Sequence, residues 1–459
     1  MKRPNVLLLY TDQQRWDSIG ASGLQPCLTP NLDALAAKGA LFDHCFVNAP
    51  VCMPSRQSML AGRYPSSVGT VCNGVEMDPA VSCIHNVIGQ YGYHTAQLGK
   101  LHFKNHAHRD HREPHPDYGF DTFILSDEPG CYQDAYLKWV AERDPSAVEA
   151  CMCDTPPMCT MPKRHKQERN TTDPYVFEGP EDLSHTAFVA DETCDFIKRH
   201  KDGEPWFAIA GFYAPHCPLN PPQRFIDMYD IDAMKLPNRL SGQGSNLNDD
   251  EWRKVVAYYW ALCSHVDDQV GRILATLEEC GLSDDTLVIF TSDHGEYLGD
   301  QGRIQKGGPH DPSARVPLIV SYPKAIEPGQ RRSEIIEHVD LAPTILDWAG
   351  IQKPPIMQGH SFRPLLQPGR GDYSERDSAY MEIKYPFGAA YKALRTKDYL
   401  YHMWNDGRDL LYDLASDPYQ LTDVAKDPAQ VDALQKCRHR LLERWFDVEN
   451  QYPIRVGDY

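Results

Sequence analysis

The sequence predicts an α/β fold, in which a large doubly wound sheet is flanked by helices and followed by a smaller C-terminal α+β subdomain. Residues 5–11 and 286–291 are continuous apolar runs, as is typical of central strands that are buried on both faces. Residues 29–39 begin with Thr-Pro and end with Gly, which are the start and stop signals of a helix. This early alternation of strand and helix indicates a doubly wound sheet.

Further elements extend this pattern along the chain. We expect residues 1–370 to form the large domain, with an insertion at about 126–179 that is rich in Pro, Cys and charged residues and lies over the functional face. Residues 371–459 are expected to form the subdomain, a small antiparallel sheet with a packed helix. The other predicted strands are 94–99, 206–212, 316–321, 379–384, 392–395, 399–403 and 410–414, and the other helices are 184–200, 249–280 and 428–446.

The composition excludes some classes of partner. The net charge is −18, from 46 basic and 64 acidic residues, so neither nucleic acid nor an anionic membrane surface is an expected partner. No apolar run approaches membrane-spanning length, and the run at residues 6–10 is too short for a signal peptide. The 14 cysteines are scattered rather than spaced as a disulfide framework, which suits a reducing compartment. A cytoplasmic protein is therefore expected.

Polar side chains follow two of the predicted central strands. Asp12 and Gln13 come directly after the first strand, and Asp293 and His294 come after the strand at 286–291. The carboxyl ends of strands in an open α/β sheet border the crevice where ligands bind. Carboxylate and amide oxygens suit a hard divalent cation, and an imidazole extends the choice toward manganese or zinc. Each of these residues taken alone is equally consistent with a strand-end cap or a turn.

Cys52 stands at the start of a predicted short helix, two residues before Pro54. Proline fits the first helical turn, where its missing N–H costs nothing. The free N–H groups and the positive end of the helix dipole would face the same space as Cys52, which favours an anion. Taken alone, such a segment is more often a half-buried cysteine beside an ordinary proline-started helix.

Basic side chains also occur at predicted strand ends. Lys100 and His102 follow the strand at 94–99. Because they are two residues apart, both side chains lie on one face of an extended segment. His216 follows the strand at 206–212 and stands between prolines, although a lone histidine at such a position is more often structural.

Charge counting favours an anionic ligand. Two carboxylates balance a divalent cation, so Arg56, Lys100 and Lys306 remain as surplus positive charge around an anion. Such a pocket suits an ester of sulfate or phosphate.

The segment that begins at Cys52 resembles the signature of the type I sulfatases, a branch of the alkaline phosphatase superfamily. It reads Cys-Met-Pro-Ser-Arg and is soon followed by Leu-Ala-Gly-Arg. The similarity continues in order along nearly the whole chain, through GKLH at 99–102, PH at 215–216, SDHGE at 292–296, Lys306, RVPLIV at 315–320, DLAPTILDWAG at 340–350 and LYDLASDP at 411–418. The resemblance implies an alkaline phosphatase-like fold with a large mixed sheet.

In this family the cysteine is converted after synthesis to formylglycine (3-oxoalanine), and the hydrate of this aldehyde is the nucleophile. The resemblance implies the same conversion of Cys52, by a formylglycine-generating enzyme that reads Pro54 and Arg56. A thiol that attacked sulfur would leave a stable adduct, whereas a gem-diol has a second hydroxyl that can expel the sulfate.

The resemblance also implies roles for individual residues. Arg56 would hold the formylglycine hydrate, while Lys100 and Lys306 would grip the sulfate oxygens. His216 would protonate the leaving alcohol, and His102 would accept the proton of the second hydroxyl during sulfate elimination. One divalent cation is implied, with calcium as the first expectation and magnesium or manganese as alternatives. Its implied ligands are Asp12, Gln13, Asp293, His294 and Cys52, and the implied substrate-binding residues are Lys100, His216, Lys306 and His310.

Some positions depart from the common sulfatase pattern. Many sulfatases carry Asp at the position of Gln13 and Asn at that of His294. The combination found here, together with Asp-Pro-Ser at 311–313, resembles the branch that contains phosphonate monoester hydrolases and choline sulfatases. Lys100 and His102, however, match the sulfatase pattern. We therefore expect hydrolysis of sulfate monoesters, and hydrolysis of phosphonate monoesters or phosphodiesters by the same nucleophile is the alternative.

The substrate is then expected to be a small anionic sulfate ester of an aryl, choline or sugar alcohol. A homo-oligomer is compatible with the sequence. An alternative of a different class is a protein that binds metal and anion without turnover, because Cys52 is unmodified.

Overall fold

The computed structural model describes residues 3–105, 115–129, 134–152, 172–243, 247–369 and 373–449. Eight strands form one large sheet that contains all five strands predicted for the large domain, with bounds that differ by at most three residues at any end. The strands are β1 (Asn5–Asp12), β2 (Ala40–Phe46), β3 (His94–Gly99), β4 (Thr122–Leu125), β5 (Trp206–Pro215), β6 (Thr286–Ser292), β7 (Arg315–Ser321) and β8 (Gln330–Glu337).

The large sheet is mixed. Its spatial order is β4-β3-β5-β1-β6-β7-β2-β8. β7 runs antiparallel to its neighbours β6 and β2, and the other neighbouring strands pair in parallel. β1 therefore lies between two parallel partners, β5 and β6, so the carboxyl ends of all three strands meet at one edge of the sheet.

Helices cover both faces of this sheet, which confirms the predicted fold class. On β1, Leu7 and Leu9 belong to one core, while Val6, Leu8 and Tyr10 belong to the other. The helices are α1 (Pro30–Ala37), α2 (Cys52–Ala61), α3 (Pro65–Val68), α4 (Ile84–Gly89), α5 (Ala135–Arg143), α6 (His185–Arg199), α7 (Gln223–Ile226), α8 (Asp249–Glu279), α9 (Asp311–Ala314), α10 (Leu341–Trp348), α11 (Arg363–Leu366) and α12 (Val431–Glu449). α1, α5, α6 and α8 contribute to the first core, and α2, α4 and α10 to the second.

The C-terminal part forms a second, antiparallel sheet, as expected. Its strands follow chain order, with β9 (Ser378–Lys384), β10 (Ala390–Thr396), β11 (Tyr399–Trp404) and β12 (Asp409–Asp413). α12 packs on this sheet through Leu434 and Leu441, which share a core with Tyr401. The boundary between residues 370 and 371 stays a prediction, since residues 370–372 lie outside the described part.

Within the described part of the chain, three strands of the large sheet (β2, β4 and β8) and seven helices (α3, α4, α5, α7, α9, α10 and α11) were not predicted from the sequence. β2 and β8 carry charged residues inside short apolar stretches, and β8 is an edge strand whose first half is largely solvent-accessible. α5 falls within the predicted insertion and is amphipathic, with the Asp134 carboxylate accepting a hydrogen bond from the backbone N–H of Leu137. The segments 130–133 and 153–171 of that insertion lie outside the described residues. Among the residues described, the structure has no helix that is both long and apolar enough to cross a membrane.

A buried carboxylate joins the two sheets. Glu337 ends β8, is fully buried and accepts a hydrogen bond from the Tyr64 hydroxyl at 2.6 Å. It also pairs with Arg444 of α12 at 2.9 Å and with Arg376 at 3.0 Å. Burial alone would raise the pKa of Glu337, but the two guanidinium groups hold it below its usual value. The subdomain is therefore attached to the large domain through a compensated buried charge.

We expect Arg444→Met to lower the free energy of unfolding by about 3 kcal/mol, because it leaves the buried Glu337 charge only partly compensated. Arg440 lies on the same helix and forms exposed ion pairs with Asp377 and Glu443, so it supplies a matched control. Arg440→Met should change stability by less than about 1 kcal/mol. Chemical denaturation of the three proteins checks this, and equal midpoints would show that the Glu337 cluster does not stabilise the junction.

Candidate active site

The ends of β1 and β6 bring together the two predicted pairs of polar residues. Thr11 is in register with Ser292, so the residues that follow lie side by side. The backbone N–H of Gln13 donates a hydrogen bond of 3.0 Å to Oδ1 of Asp293. Asp12, Gln13, Asp293 and His294 are all buried at this edge of the sheet. The structure thus assembles the four strand-end residues that the sequence placed almost three hundred positions apart.

Cys52 is the first residue of α2 and points into the same cluster. Its Sγ lies 3.1 Å from Nε2 of His294 and 3.9 Å from Oδ1 of Asp12. All ten residues of α2 are buried, and the helix ends at Gly62, which has φ 63°. The predicted helix start at Cys52 is therefore observed, and the thiol occupies the crevice rather than an exposed helix end.

The donor atoms of this cluster fit a divalent cation. One atom each from Asp12, Cys52, Asp293 and His294 can be chosen so that all four lie within 4.8 Å of one another. His294 donates from Nδ1 to the carbonyl of Gly295 at 2.9 Å, so the lone pair of Nε2 faces the cluster. Burial lowers the pKa of His294, which favours the neutral imidazole that a metal requires. Carboxylate oxygens suit a hard divalent cation, and the imidazole extends the choice toward manganese or zinc.

Two cations hold the outer oxygens of these carboxylates. Nε of Arg56 donates to Oδ2 of Asp293 at 2.7 Å, and Nη2 of Arg56 lies 3.6 Å from Oδ2 of Asp12. Nζ of Lys100 lies 2.9 Å from the same Asp12 oxygen. Burial alone would raise the pKa of Asp12, but Lys100 and the other nearby cations hold it well below its usual range. Asp12 is therefore ionised, and the Oδ1 atoms of Asp12 and Asp293 each lie 3.6 Å from Nε2 of His294.

Lys306 and His216 form a third part of the site. Nζ of Lys306 donates to Oε1 of Gln13 at 2.6 Å and lies 2.8 Å from Nε2 of His216. His216 donates from Nδ1 to the carbonyl of Cys217 at 2.7 Å, so its Nε2 accepts from the ammonium. Burial and the Lys306 charge lower the pKa of His216 well below its usual value. His216, the predicted proton donor to the leaving alcohol, thus lies in contact with Lys306, a predicted sulfate-binding residue.

His102 follows Lys100 by two residues and has a left-handed backbone conformation, with φ 57°. The backbone N–H groups of Leu101 and His102 both donate to Oδ1 of Asp127, each at 2.8 Å. His310 is also buried, but its Nδ1 shares a hydrogen bond with the Tyr297 hydroxyl, and its ring packs near His402 of the C-terminal sheet. The described contacts of His310 thus place it at the junction between the sheets, and its role in substrate binding stays a prediction.

The structure adds residues that the sequence analysis did not assign. Asp127 holds the backbone of the segment that follows β3, and the Tyr213 ring lies 4.5 Å from Nζ of Lys100. Glu296 belongs to the SDHGE motif, is fully buried and accepts a hydrogen bond from the side-chain amide of Gln13. Membership of the SDHGE motif was the one signal in the sequence that could have identified Glu296. Asp127 lies in a segment without hydrophobic periodicity or a motif, so the sequence offered no signal for it.

The mixed sheet and the buried cluster define a hydrolase of the alkaline phosphatase superfamily. A family model described as "Sulfatase" matches residues 4–351, and one described as "N-sulphoglucosamine sulphohydrolase, C-terminal" matches residues 299–446. The chain belongs to the sulfatase family and is a sulfuric ester hydrolase. The family implies a divalent metal and a formylglycine.

Individual relatives agree with this assignment. An arylsulfatase from Clostridium perfringens is 29% identical, over 96% of this chain and 95% of the relative. A choline-sulfatase from Rhizobium meliloti is 26% identical, over 93% of this chain and 83% of the relative. The solved structure of the phosphonate monoester hydrolase of Agrobacterium radiobacter has a TM-score of 0.84 and 26% identity, over 97% of this chain and 96% of that one. The expected similarity to the branch of phosphonate monoester hydrolases and choline sulfatases is confirmed.

Removing one carboxylate of the cluster should weaken cation binding. We expect Asp293→Asn to lower the affinity for calcium, magnesium or manganese by at least about 100-fold, because the substitution removes an anionic ligand. Asp267 is a buried carboxylate outside the cluster and accepts hydrogen bonds from the backbone of α1. Asp267→Asn is therefore the matched control, and this variant should bind the cation at the cluster as the wild type does. Metal content per chain after dialysis measures both. Equal metal content in Asp293→Asn and the wild type would contradict the assignment.

Proposed function

We propose that the protein hydrolyses sulfate monoesters, with formylglycine formed at Cys52 as the nucleophile and one divalent cation, calcium first, held beside it. The observation that carries the proposal is the position of Cys52, whose Sγ lies 3.1 Å from His294 within a donor cluster that fits a cation. Three cations border the same cluster: Arg56 and Lys100, which are buried, and Lys306, which is half-buried. Such a cluster favours an anionic ester over a neutral one.

The residues of the chain divide the work between binding and proton transfer. The hydrate of formylglycine would supply one hydroxyl that attacks sulfur and a second hydroxyl whose deprotonation releases sulfate, and the cation would lower the pKa of the hydrate. Lys100 and Lys306 would neutralise the charge that grows on the sulfate oxygens, and Arg56 would orient the hydrate. The ligands of the cation would be Asp12, Asp293, His294, the converted Cys52 and Gln13.

His216 would protonate the oxygen of the leaving alcohol. Its Nε2 lies 2.8 Å from the Lys306 ammonium, so a proton lies between the two nitrogen atoms. This half-buried pair holds a proton within reach of the leaving oxygen. His102 would accept the proton of the second hydroxyl, and Asp127 fixes the backbone of this histidine.

An unconverted Cys52 would behave differently. Burial, reinforced by the nearby Asp12 charge, raises the pKa of the Cys52 thiol to about 11. In the absence of a bound cation, the thiol would therefore stay neutral at pH 7 and would be a poor nucleophile. Protein with an unmodified Cys52 should bind a cation and an anion without turnover, which is the alternative of another class.

Hydrolysis of phosphonate monoesters or phosphodiesters by the same nucleophile is the second candidate. It is supported by the similarity to the phosphonate monoester hydrolase of Agrobacterium radiobacter and by the presence of His294 in the donor cluster. The presence of Lys100 and His102 favours sulfate ester hydrolysis, since both residues match the sulfatase pattern.

The deciding experiment uses protein coexpressed with a formylglycine-generating enzyme, with the Cys52 peptide analysed by mass spectrometry. We expect an aldehyde at Cys52 and faster turnover of 4-nitrophenyl sulfate than of the 4-nitrophenyl ester of phenylphosphonate or of bis(4-nitrophenyl) phosphate. Cys52→Ala should reduce all three rates to background. A dominant phosphonate rate would favour the second candidate, and a fully converted protein without turnover on any of the three esters would contradict the proposed function.

Replacement of His216 should separate substrates by their leaving groups. We expect His216→Ala to lower kcat about 100-fold or more for an alkyl sulfate, whose alkoxide needs a proton, and less than about tenfold for 4-nitrophenyl sulfate. His200 is the half-buried residue that caps the C-terminal end of α6, where its ring packs on Phe196. His200→Ala is therefore the control and should leave both rates unchanged. Equal losses on both esters would remove His216 from the role of general acid.

A further inference from the structure

The carboxylate of Glu296 forms hydrogen bonds with three residues that have left-handed backbone conformations. Gln13, Leu298 and Gln305 have φ angles of 67°, 50° and 62°, although none of them is glycine. Glu296 accepts hydrogen bonds from the Gln13 side-chain amide, from the backbone N–H of Leu298 at 2.9 Å and from the backbone N–H of Gln305. All three strained residues are therefore bound to the same side chain.

Left-handed conformations of this kind are unfavourable for residues with a Cβ atom. They persist where the surrounding structure imposes them, and such strain occurs preferentially at functional sites. Glu296 is fully buried between the end of β1 and the segment at 297–305, so its carboxylate can impose them on both.

The hydrogen bonds of Glu296 converge on Lys306. One oxygen holds the backbone of Gln305, the residue directly before Lys306. The other oxygen accepts from Nε2 of Gln13, which leaves Oε1 of Gln13 turned toward Nζ of Lys306, 2.6 Å away. Glu296 therefore fixes the backbone just before Lys306. It also orients the Gln13 amide, which accepts the hydrogen bond of the Lys306 ammonium group.

We propose that Glu296 is a positioning residue, which holds Lys306 against Gln13 and His216 for sulfate ester hydrolysis. The inference rests on the proposed function for the reaction, but its structural part does not. Without the carboxylate, the Gln13 amide is free to rotate. Its NH₂ group can then face the Lys306 ammonium group, and two hydrogen-bond donors cannot bind each other. Lys306 would then move away from His216 Nε2, and the leaving alcohol would lose its proton source.

The first test is Glu296→Gln, which preserves the size of the side chain but replaces one acceptor oxygen with a donor. We expect kcat for an alkyl sulfate to fall about 100-fold with little change in KM, because a small displacement of a catalytic group has an effect of that size. The loss on 4-nitrophenyl sulfate should be smaller than on the alkyl sulfate, because this ester loses only the contact of Lys306 with the sulfate oxygens and does not need the proton source. Conversion of Cys52 should equal that of the wild type.

A double-substitution cycle shows whether the effect passes through His216. In a His216→Ala background, Glu296→Gln should cost less than tenfold, since the proton source that it positions is already absent. Arg444→Met supplies the control for general loss of stability and should keep the wild-type ratio of alkyl to aryl rates. A 100-fold loss from Glu296→Gln in both backgrounds would overturn the proposal.

A crystal structure of Glu296→Gln gives a readout that does not depend on turnover. We expect Nζ of Lys306 to leave hydrogen-bonding distance of Oε1 of Gln13 and of Nε2 of His216. An unchanged Lys306 would overturn the positioning role even if activity were lost. A converted wild-type enzyme that hydrolyses no sulfate ester would contradict the proposed function, while the Lys306 position would still decide the role of Glu296.

Discussion

The parallel pairing of β1 with β6 is the constraint on which the site depends. Thr11 pairs with Ser292, so Asp12 and Asp293 leave the sheet side by side. A shift of one residue would turn one aspartate to the opposite face, because side chains alternate along a strand. Both strands are apolar on both faces, so alternation does not define their register, and the hydrogen bond from Gln13 N–H to Asp293 helps to define it.

This arrangement buries two carboxylates at the edge of the sheet, and they require compensation by positive charges. Asp12 and Asp293 are fully buried, and a buried carboxylate is stable where opposite charges and hydrogen bonds replace water. α2 supplies Arg56, one turn after Cys52. Lys100 follows β3, which is separated from β1 by one strand. The same residues that compensate the aspartates thus concentrate positive charge in a chain whose net charge is −18, which is how an acidic protein can bind an anionic ester.

Much of this organisation follows from the sequence, and the exceptions have physical reasons. β1, β3 and β6 are predictable because apolar runs end in polar residues, and the helix at Cys52 is predictable from Pro54. β8 escapes prediction because an edge strand with an exposed half does not need an apolar run. Glu296 escapes assignment because its function depends on partners at 13 and 305 and on backbone angles, none of which leaves a periodic pattern.

Gln13 explains one departure from the common sulfatase pattern. Its side chain donates to Glu296 and accepts from Lys306 at the same time, and an amide has both a donor and an acceptor at its end. An aspartate at this position would have no donor for Glu296 and would place a second carboxylate against it, at a buried site where like charges repel strongly. The amide at 13 and the carboxylate at 296 are therefore matched, so that replacing either one alone disturbs the ammonium group of Lys306 between them and His216.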